Sequence, residues 1–243
     1  MSFQHKLTQA ALITSLFLPT LAQAAYWSPH LGADIKYWNA EPSIGINTDN
    51  DLLYPEITKA VNLYVGTRIN GYFGVDIGYE QSANKRGSRT FDGTEIFFVT
   101  QETAGDAATV DLRLHAFHLD FNFYWEVARR FEINFMMGLL YLHPNTHIMH
   151  LTDGNWIEFK NRSDEKWSGS YGIGVVYSPI DNISLRALVA FDHTNRINYI
   201  GYDQNNQWFD IHPYKNATTF NAGIIWNILP PRRSRSCANF EYS

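Results

Sequence analysis

The chain has 243 residues, enough for one domain with a sizeable core, and its 19 Lys and Arg against 24 Asp and Glu leave a formal charge of −5. No basic face accompanies that balance, which argues against a nucleic-acid partner. The single cysteine, Cys237, excludes an intrachain disulfide and any cysteine cluster for zinc or iron–sulfur, and no run of about 18 apolar residues offers a transmembrane helix.

Lys6 supplies a positive n-region, residues 10–18 (AALITSLFL) an apolar h-region too short to span a bilayer, and Ala22-Gln23-Ala24 an A-x-A cleavage site before Ala25. Residues 1–24 are therefore predicted to be a secretory signal peptide. Its removal takes away Lys6 and moves the formal charge from −5 to −6. No cysteine follows the cleavage site, so a lipoprotein is not expected. An exported chain of this kind is either soluble or a β-barrel.

After the signal, helical periodicity is hard to find, whereas period-two alternation recurs in eight stretches of about ten residues, the length a tilted strand needs to cross a membrane. In the first, Leu31, Ala33, Ile35 and Tyr37 oppose Gly32, Asp34, Lys36 and Trp38. In the second, Val61, Leu63, Val65 and Ile69 oppose Ala60, Tyr64, Gly66 and Arg68, and Asn70-Gly71 then predicts a type I′ hairpin turn. Phe73, Val75, Ile77 and Tyr79 return against Gly74, Asp76, Gly78 and Glu80. The fourth sets Phe117, Leu119, Phe121 and Phe123 against Ala116, His118, Asp120, Asn122 and Tyr124; the fifth sets Phe131, Ile133, Phe135, Met137, Leu139 and Tyr141 against Glu132, Asn134, Met136 and Gly138. The sixth has Tyr171, Ile173, Val175 and Tyr177 facing away from Ser170, Gly172 and Gly174. In the seventh, Ile183, Leu185, Ala187, Val189 and Phe191 face away from Ser184, Arg186, Ala190 and Asp192. The last carries Phe220, Ala222, Ile224 and Trp226.

Alternation alone fits a soluble sandwich as well as a membrane barrel. Three further features favour the barrel. Connections alternate in length: residues 70–71, 126–130 and 178–182 are short, while 39–55, 83–108, 144–164 and 193–214 are long. Aromatics gather where strands end, with Tyr26, Trp27, Tyr72, Phe73, Trp125, Phe131, Tyr177 and Trp226 near the short turns and Tyr37, Tyr79, Tyr141, Trp167 and Phe191 near the long loops. The polar faces carry Asp34, Lys36, Arg68, Asp76, Glu80, Asp120, Glu132, Arg186 and Asp192 among glycine and serine, a set that fits an enclosed interior better than a wet surface.

The chain at this point resembles the outer-membrane-protein-A-like and opacity-type surface proteins of Gram-negative bacteria. The likeness covers residues 25–228, and its best-matched stretches are YFGVDIGYE (72–80) and NAGIIWNI (221–228). The resemblance implies an all-β, eight-stranded antiparallel up-and-down transmembrane barrel with long extracellular loops and short periplasmic turns. It implies that Asn221, Gly223, Trp226 and Ile228 form the terminal-strand signal read by the barrel-assembly machinery. Outer membrane lipid and lipopolysaccharide would surround a barrel expected to be a monomer, with both termini periplasmic. Residues 229–243, with Pro230-Pro231 and then Arg232, Arg233 and Arg235, read as a disordered periplasmic tail.

The nine inward charges are expected to pair as a plug, because enclosed charges must be paired and hydrogen-bonded; an acid–base role for Asp76, Glu80 or Asp192 is the weaker reading. An eight-stranded interior is filled by side chains, so a wide pore is not expected. Asp192-His193-Thr194-Asn195 is similar to the His-x-Ser-Asn arrangement of barrel lipid A deacylases, but the spacing is one residue short and threonine replaces serine. His143, His147 and His150 are the alternative reading as a zinc or copper site, against solvated loop histidines. Asn47, Asp49 and Asp51 imitate a calcium loop, but Leu52 and Thr58 occupy its glycine and glutamate positions, so no metal and no cofactor is predicted. Lys85, Arg86 and Arg89 suit either lipopolysaccharide phosphates or plain solvation.

Asp153-Gly154 between apolar runs predicts a hairpin in the third loop, with similar turns at Asp92-Gly93 and Asn205-Asn206. Strands four to eight are accordingly expected to continue above the membrane as a short sheet, whose Trp156, Phe159, Trp208 and Phe209 are the candidate contact surface for a host or envelope ligand. The expected function is a non-enzymatic surface protein serving envelope integrity, adhesion or host contact. A lipid A-modifying hydrolase using His193, Thr194 and Asp192 is the alternative, and a narrow channel the second.

Overall fold

The computed structural model describes residues 26–42, 57–94, 96–97, 100–159, 161–163, 166–193, 199–202, 208–211 and 214–231. The proposed signal peptide, the calcium-loop imitation at residues 47–52, the Asn205-Asn206 turn and Cys237 lie outside them. The strands in chain order are β1 (Trp27–Pro42), β2 (Ile57–Ile69), β3 (Phe73–Ser82), β4 (Lys85–Thr90), β5 (Ile96–Phe97), β6 (Thr100–Gln101), β7 (Ala107–Ala128), β8 (Phe131–Thr152), β9 (Asn155–Phe159), β10 (Asn161–Ser163), β11 (Lys166–Ile180), β12 (Ile183–Asp192), β13 (Tyr199–Tyr202), β14 (Trp208–Ile211) and β15 (Tyr214–Asn227).

Eight of these close on themselves. Around the ring the order is β1-β2-β3-β7-β8-β11-β12-β15 and back to β1, every neighbour antiparallel. Each ring strand has a ladder partner on both sides, so no backbone edge is left for lipid to meet. The alternation then sorts side chains as the sequence requires. Ile77 and Leu63 on the outside are 61% and 57% exposed, while Asp76, Asn122 and Asn134 on the inside are 0% exposed, the inverse of a water-soluble domain.

The first hairpin corrects the predicted two-residue turn. Asn70 and Gly71 do take positive φ, 52° and 79°, and the Tyr72 amide donates to the Ile69 carbonyl at 3.2 Å, but Ile69 pairs with Phe73 across a three-residue connection. Faces demand this register. A two-residue loop would set Arg68 opposite Phe73 and bring a cation onto the lipid face.

The long connections are also less loop-like than the sequence suggests. β7 and β8 run 22 residues each, so residues 144–152, expected to be loop, are strand. β4 lies along the free flank of β7, and β9 along that of β8, which makes a four-stranded sheet β4-β7-β8-β9 beyond the girdle of Tyr79, Phe117, Tyr141 and Trp167. The Asp153-Gly154 turn joins β8 to β9 with φ of 49° and 75° and Thr152 paired to Asn155, as a type I′ hairpin requires. Of the strands expected to continue outward, these two do so as ring strands; parts of the third and fourth loops instead form a separate sheet, β10-β13-β14.

Arginine at Ile77, between the Phe73 and Tyr79 girdles on the lipid face, should lower stability in bilayers by about 2 to 4 kcal/mol. Arginine at Ser88, on the exposed side of β4, should change it by less than about 0.5 kcal/mol. Urea unfolding of both variants in the same vesicles would measure the difference, and equal costs would refute the assignment of faces.

Candidate functional site: the filled barrel and its loop sheet

Inward positions along the ring stack charged groups in tiers. Nearest the short turns, Arg68 from β2 binds Glu132 from β8 with two hydrogen bonds, 3.0 and 2.8 Å, and donates to the Gly71 carbonyl at 2.6 Å. Its guanidinium lies 3.8 Å from the centre of the Tyr124 ring, so the aromatic face covers the cation where no water can.

The next tier centres on Arg186 of β12, which lies over the Tyr64 ring at 4.4 Å, hydrogen-bonds Asp34 of β1 and approaches Asp76 of β3 at 3.6 Å. Asp76 is also met by His30 at 2.9 Å and accepts from Asn122 at 3.0 Å, and Asn122 accepts in turn from Asn134 at 3.2 Å. Above it, Lys36 bridges Glu80 and Asp192 at 2.9 Å each, and the Ser170 hydroxyl donates to Asp192 at 2.5 Å. His118 touches Asn62 and Asp120, both at 2.7 Å. Asp34, Lys36, Asn62, Glu80, His118, Asp120 and Arg186 are among the residues around a space of about 20 Å³, room for one water.

All nine charges singled out from the sequence thus sit in one connected interior. What the sequence reading left out of that network is its members other than Lys, Arg, Asp and Glu: His30 and Asn122 bond Asp76, Tyr64 bonds Asp34, His118 contacts Asp120, Asn134 bonds Asn122, and Tyr124 covers Arg68. Counting back by twos from Asp34 through Gly32 would have reached His30. Glycine on the facing strand makes the space. A Cβ on Gly223 would lie 2.0 Å from the Asp34 carboxylate, and one on Gly138 2.3 Å from that of Asp120. Gly223 of the terminal-strand signal therefore has a packing reason of its own. Its companion Asn221 lines the same small space, while Trp226 and Ile228 point to the outside.

Above the charged tiers the interior turns apolar. Trp38, Leu112, Leu114, Leu140, Leu142 and Ile148 cluster with Phe91, which the second loop folds inward. Within this cap Glu102 is buried against His150 at 2.7 Å, and burial raises its carboxyl above the ordinary 4.5, opposed by the His150 hydrogen bond and charge.

The alternative metal site is not assembled. His143 and His147 lie on one face of β8 and His150 on the other, because successive strand residues alternate. His143 rests near His115, His147 pairs with Glu158 at 3.1 Å, and His150 binds Glu102, so the three do not share a metal position. No group of three metal-ligating side chains occurs among the described residues. In the deacylase-type stretch, Asp192 and His193 take opposite faces. Asp192 points into the barrel to Lys36 and Ser170, whereas His193 points out to Asn216 at 3.2 Å and the Tyr171 ring; Thr194 lies outside the described residues. Of the loop aromatics, Trp156 is half exposed on β9; Phe159 belongs to the same strand, and Trp208 and Phe209 to β14.

The model of the OmpA-like transmembrane domain matches residues 36–228, nearly the whole ring. The chain belongs to that family. Solved structures agree on the fold at low identity. Neisserial surface protein A (NspA) has a TM-score of 0.50 at 12% identity, covering 84% of this chain and 99% of its own. A major outer membrane protein from Thermus thermophilus scores 0.50 at 10%, over 82% and 99%. OprG from Pseudomonas aeruginosa scores 0.50 at 9%, over 83% and 96%. No curated protein matches by sequence. This OmpA-like chain is thus an outer membrane β-barrel, and its interior charges, loop sheet and terminal strand are features of that membrane fold.

Arg186→Ala in this OmpA-like barrel would leave Asp34 and Asp76 without their cation and should lower stability by about 3 to 5 kcal/mol. Gly223→Ala, which forces Asp34 aside, should cost about 1 to 3 kcal/mol. Unchanged unfolding midpoints in both variants would dismiss the interior network as a source of stability. At the loop end, a carboxyl whose folded value is raised stabilises the docked loop fully below pH 4.5 and progressively less as pH climbs through the raised value. Hydrogen-exchange protection around residues 91 and 102, taken relative to the intrinsic exchange rate at each pH, should therefore fall above pH 4.5, and Glu102→Gln should remove most of that fall.

Proposed function

We propose that this barrel is a non-enzymatic surface protein that uses its loop sheet as a rigid platform for contact. The observation that carries the reading is the β7–β8 extension: the chain builds Ala108, Val110, Leu112 and Ile148, each 0% exposed, into a core beyond the membrane girdle, beneath an exposed Trp156. A protein that needed its loops only as connections would have no use for such a core. The NspA structure is of a protein named for the surface, which supports the placement of the long loops outside. An even number of crossings then puts both ends of the ring on the periplasmic side.

On that orientation, Arg86 and Arg89 of β4 stand close to the phosphates of lipopolysaccharide, although Arg86 already binds Asp111 at 2.8 and 2.7 Å and so is shared between the two. The terminal strand β15 would serve recognition by the barrel-assembly machinery before it closes onto β1. Envelope integrity, adhesion and host contact are the roles such a monomeric platform suits. Hydrolysis of lipid A is disfavoured by Asp192, held inside the barrel by Lys36. Conduction is disfavoured by the apolar cap.

Protease shaving of intact cells should leave the chain largely uncut on both sides of Asp153-Gly154, and Trp156→Ala should weaken cell attachment to host cells or matrix without changing shaving resistance. Rapid cleavage at that turn would rule out the rigid platform. A change in lipid A mass on expression would replace the contact reading with the hydrolase.

A further inference from the structure

The lipid-facing wall is not evenly filled. Outward residues of four adjacent ring strands border an open surface groove lined by Leu31 of β1, Leu63 and Val65 of β2, Ile77 and Tyr79 of β3, and Phe117 of β7. On its loop side Tyr79 and Phe117 raise a ridge with ring centres 5.1 Å apart.

The loop end of the groove changes character within two rows. Val61 pairs with Gln81, which pairs with His115, and His115 is hydrogen-bonded to the Tyr79 hydroxyl at 2.6 Å. One row higher Lys59 holds its ammonium 5.3 Å from the Tyr37 ring centre. Lys59 stands four residues above Leu63, about 13 Å along the strand. The exposed Arg113 lies two residues beyond His115, and among the described residues no carboxylate occupies the outer face at positions 37, 59, 81, 113 or 115. An apolar trough in the hydrocarbon therefore leads upward to cationic and hydrogen-bonding groups at interface height.

We propose that this groove seats one acyl chain of a phosphate-bearing membrane lipid, with Lys59 and its neighbours Gln81 and His115 receiving the headgroup. Anionic charge complements the cationic rim, and a basic residue near the interface attracts such headgroups. A second barrel is a poorer occupant. Apolar protein surface gains nothing over lipid by burial in a membrane, and a narrow trough beside an aromatic ridge lacks the broad complementary area a stable pair needs, about 1,000 Å² or more. The proposal does not depend on the loop platform or on which leaflet the loops face, so it stands or falls separately from the contact function.

Native mass spectrometry of the intact purified barrel in mild detergent tests it, with didecanoyl phosphatidic acid, the diacylglycerol of the same chains, and inorganic phosphate as probes. The expected result is a single phosphatidic acid adduct per chain, about tenfold stronger than diacylglycerol and not displaced by inorganic phosphate. Lys59→Gln should bring phosphatidic acid down to the diacylglycerol level, and Leu63→Trp, which fills the trough, should remove both adducts. Retention of the adduct in Leu63→Trp, retention in Lys59→Gln, equal binding of the two lipids, or a dimer in place of the lipid adduct would each overturn the assignment. Should Leu63→Trp fail to fold, as judged by its heat-modified gel mobility, Lys59→Gln and the comparison of the two lipids decide alone.

Discussion

Hydrocarbon offers no hydrogen bonds, so a chain that crosses it as strands must pair every backbone amide and carbonyl with itself. The ring meets that condition only by joining β15 to β1, the last strand to the first, across nearly the whole length of the chain. Everything else in the molecule answers to that closure. Once eight strands are closed, the interior is narrow, side chains must fill it, and period-two alternation forces half of each strand's residues into it.

What fills it is polar for a reason of balance. With the apolar residues turned outward to lipid, the inward positions carry the charges, and the cost of enclosing them is offset only when each finds opposite charge and hydrogen bonds. Three cations cannot neutralise six carboxylates. The remainder is handled by the other groups of the network: imidazoles at Asp76 and Asp120, an asparagine pair leading from Asp76, and tyrosine rings covering the two arginines. Glycines opposite the carboxylates supply the room. A small barrel therefore reads as an alternation of large charged and absent side chains across the ladder, as in Asp34 facing Gly223 and Asp120 facing Gly138.

Beyond the girdle water returns and the logic inverts. There β7 and β8 continue, but their inward residues become Leu112, Leu114, Leu142 and Ile148, because the hydrophobic effect again rewards burial of apolar surface. The same two strands thus carry a charged inside within the membrane and an apolar inside above it, and the switch occurs near Ala116 and Leu140. That continuity makes the loop sheet an extension of the barrel wall, and it places Glu102 of the second loop and His150 of upper β8 in a dry setting although both lie beyond the girdle.

Alternation and turn chemistry determined the number of crossings, the face each residue takes and the hairpin at Asp153-Gly154. The membrane they cross followed from the alternating loop lengths, the aromatic girdles and the family resemblance. Alternation does not decide the histidine positions 143, 147 and 150, because residues 144–164 read as a loop, where it assigns no face; the opposite faces follow from the length of β8. Partners were another matter. Alternation assigns a side, but not a neighbour; that Lys36 bridges Glu80 and Asp192, or that Arg68 meets Glu132, depends on the register and tilt of strands far apart in sequence. His30 and the three-residue turn after Ile69 were settled by the same register. The length of β7 and β8 was hidden because their upper halves lose the lipid-facing apolar pattern while keeping strand geometry, and only the tertiary structure supplies β4 and β9 as the partners that keep them extended.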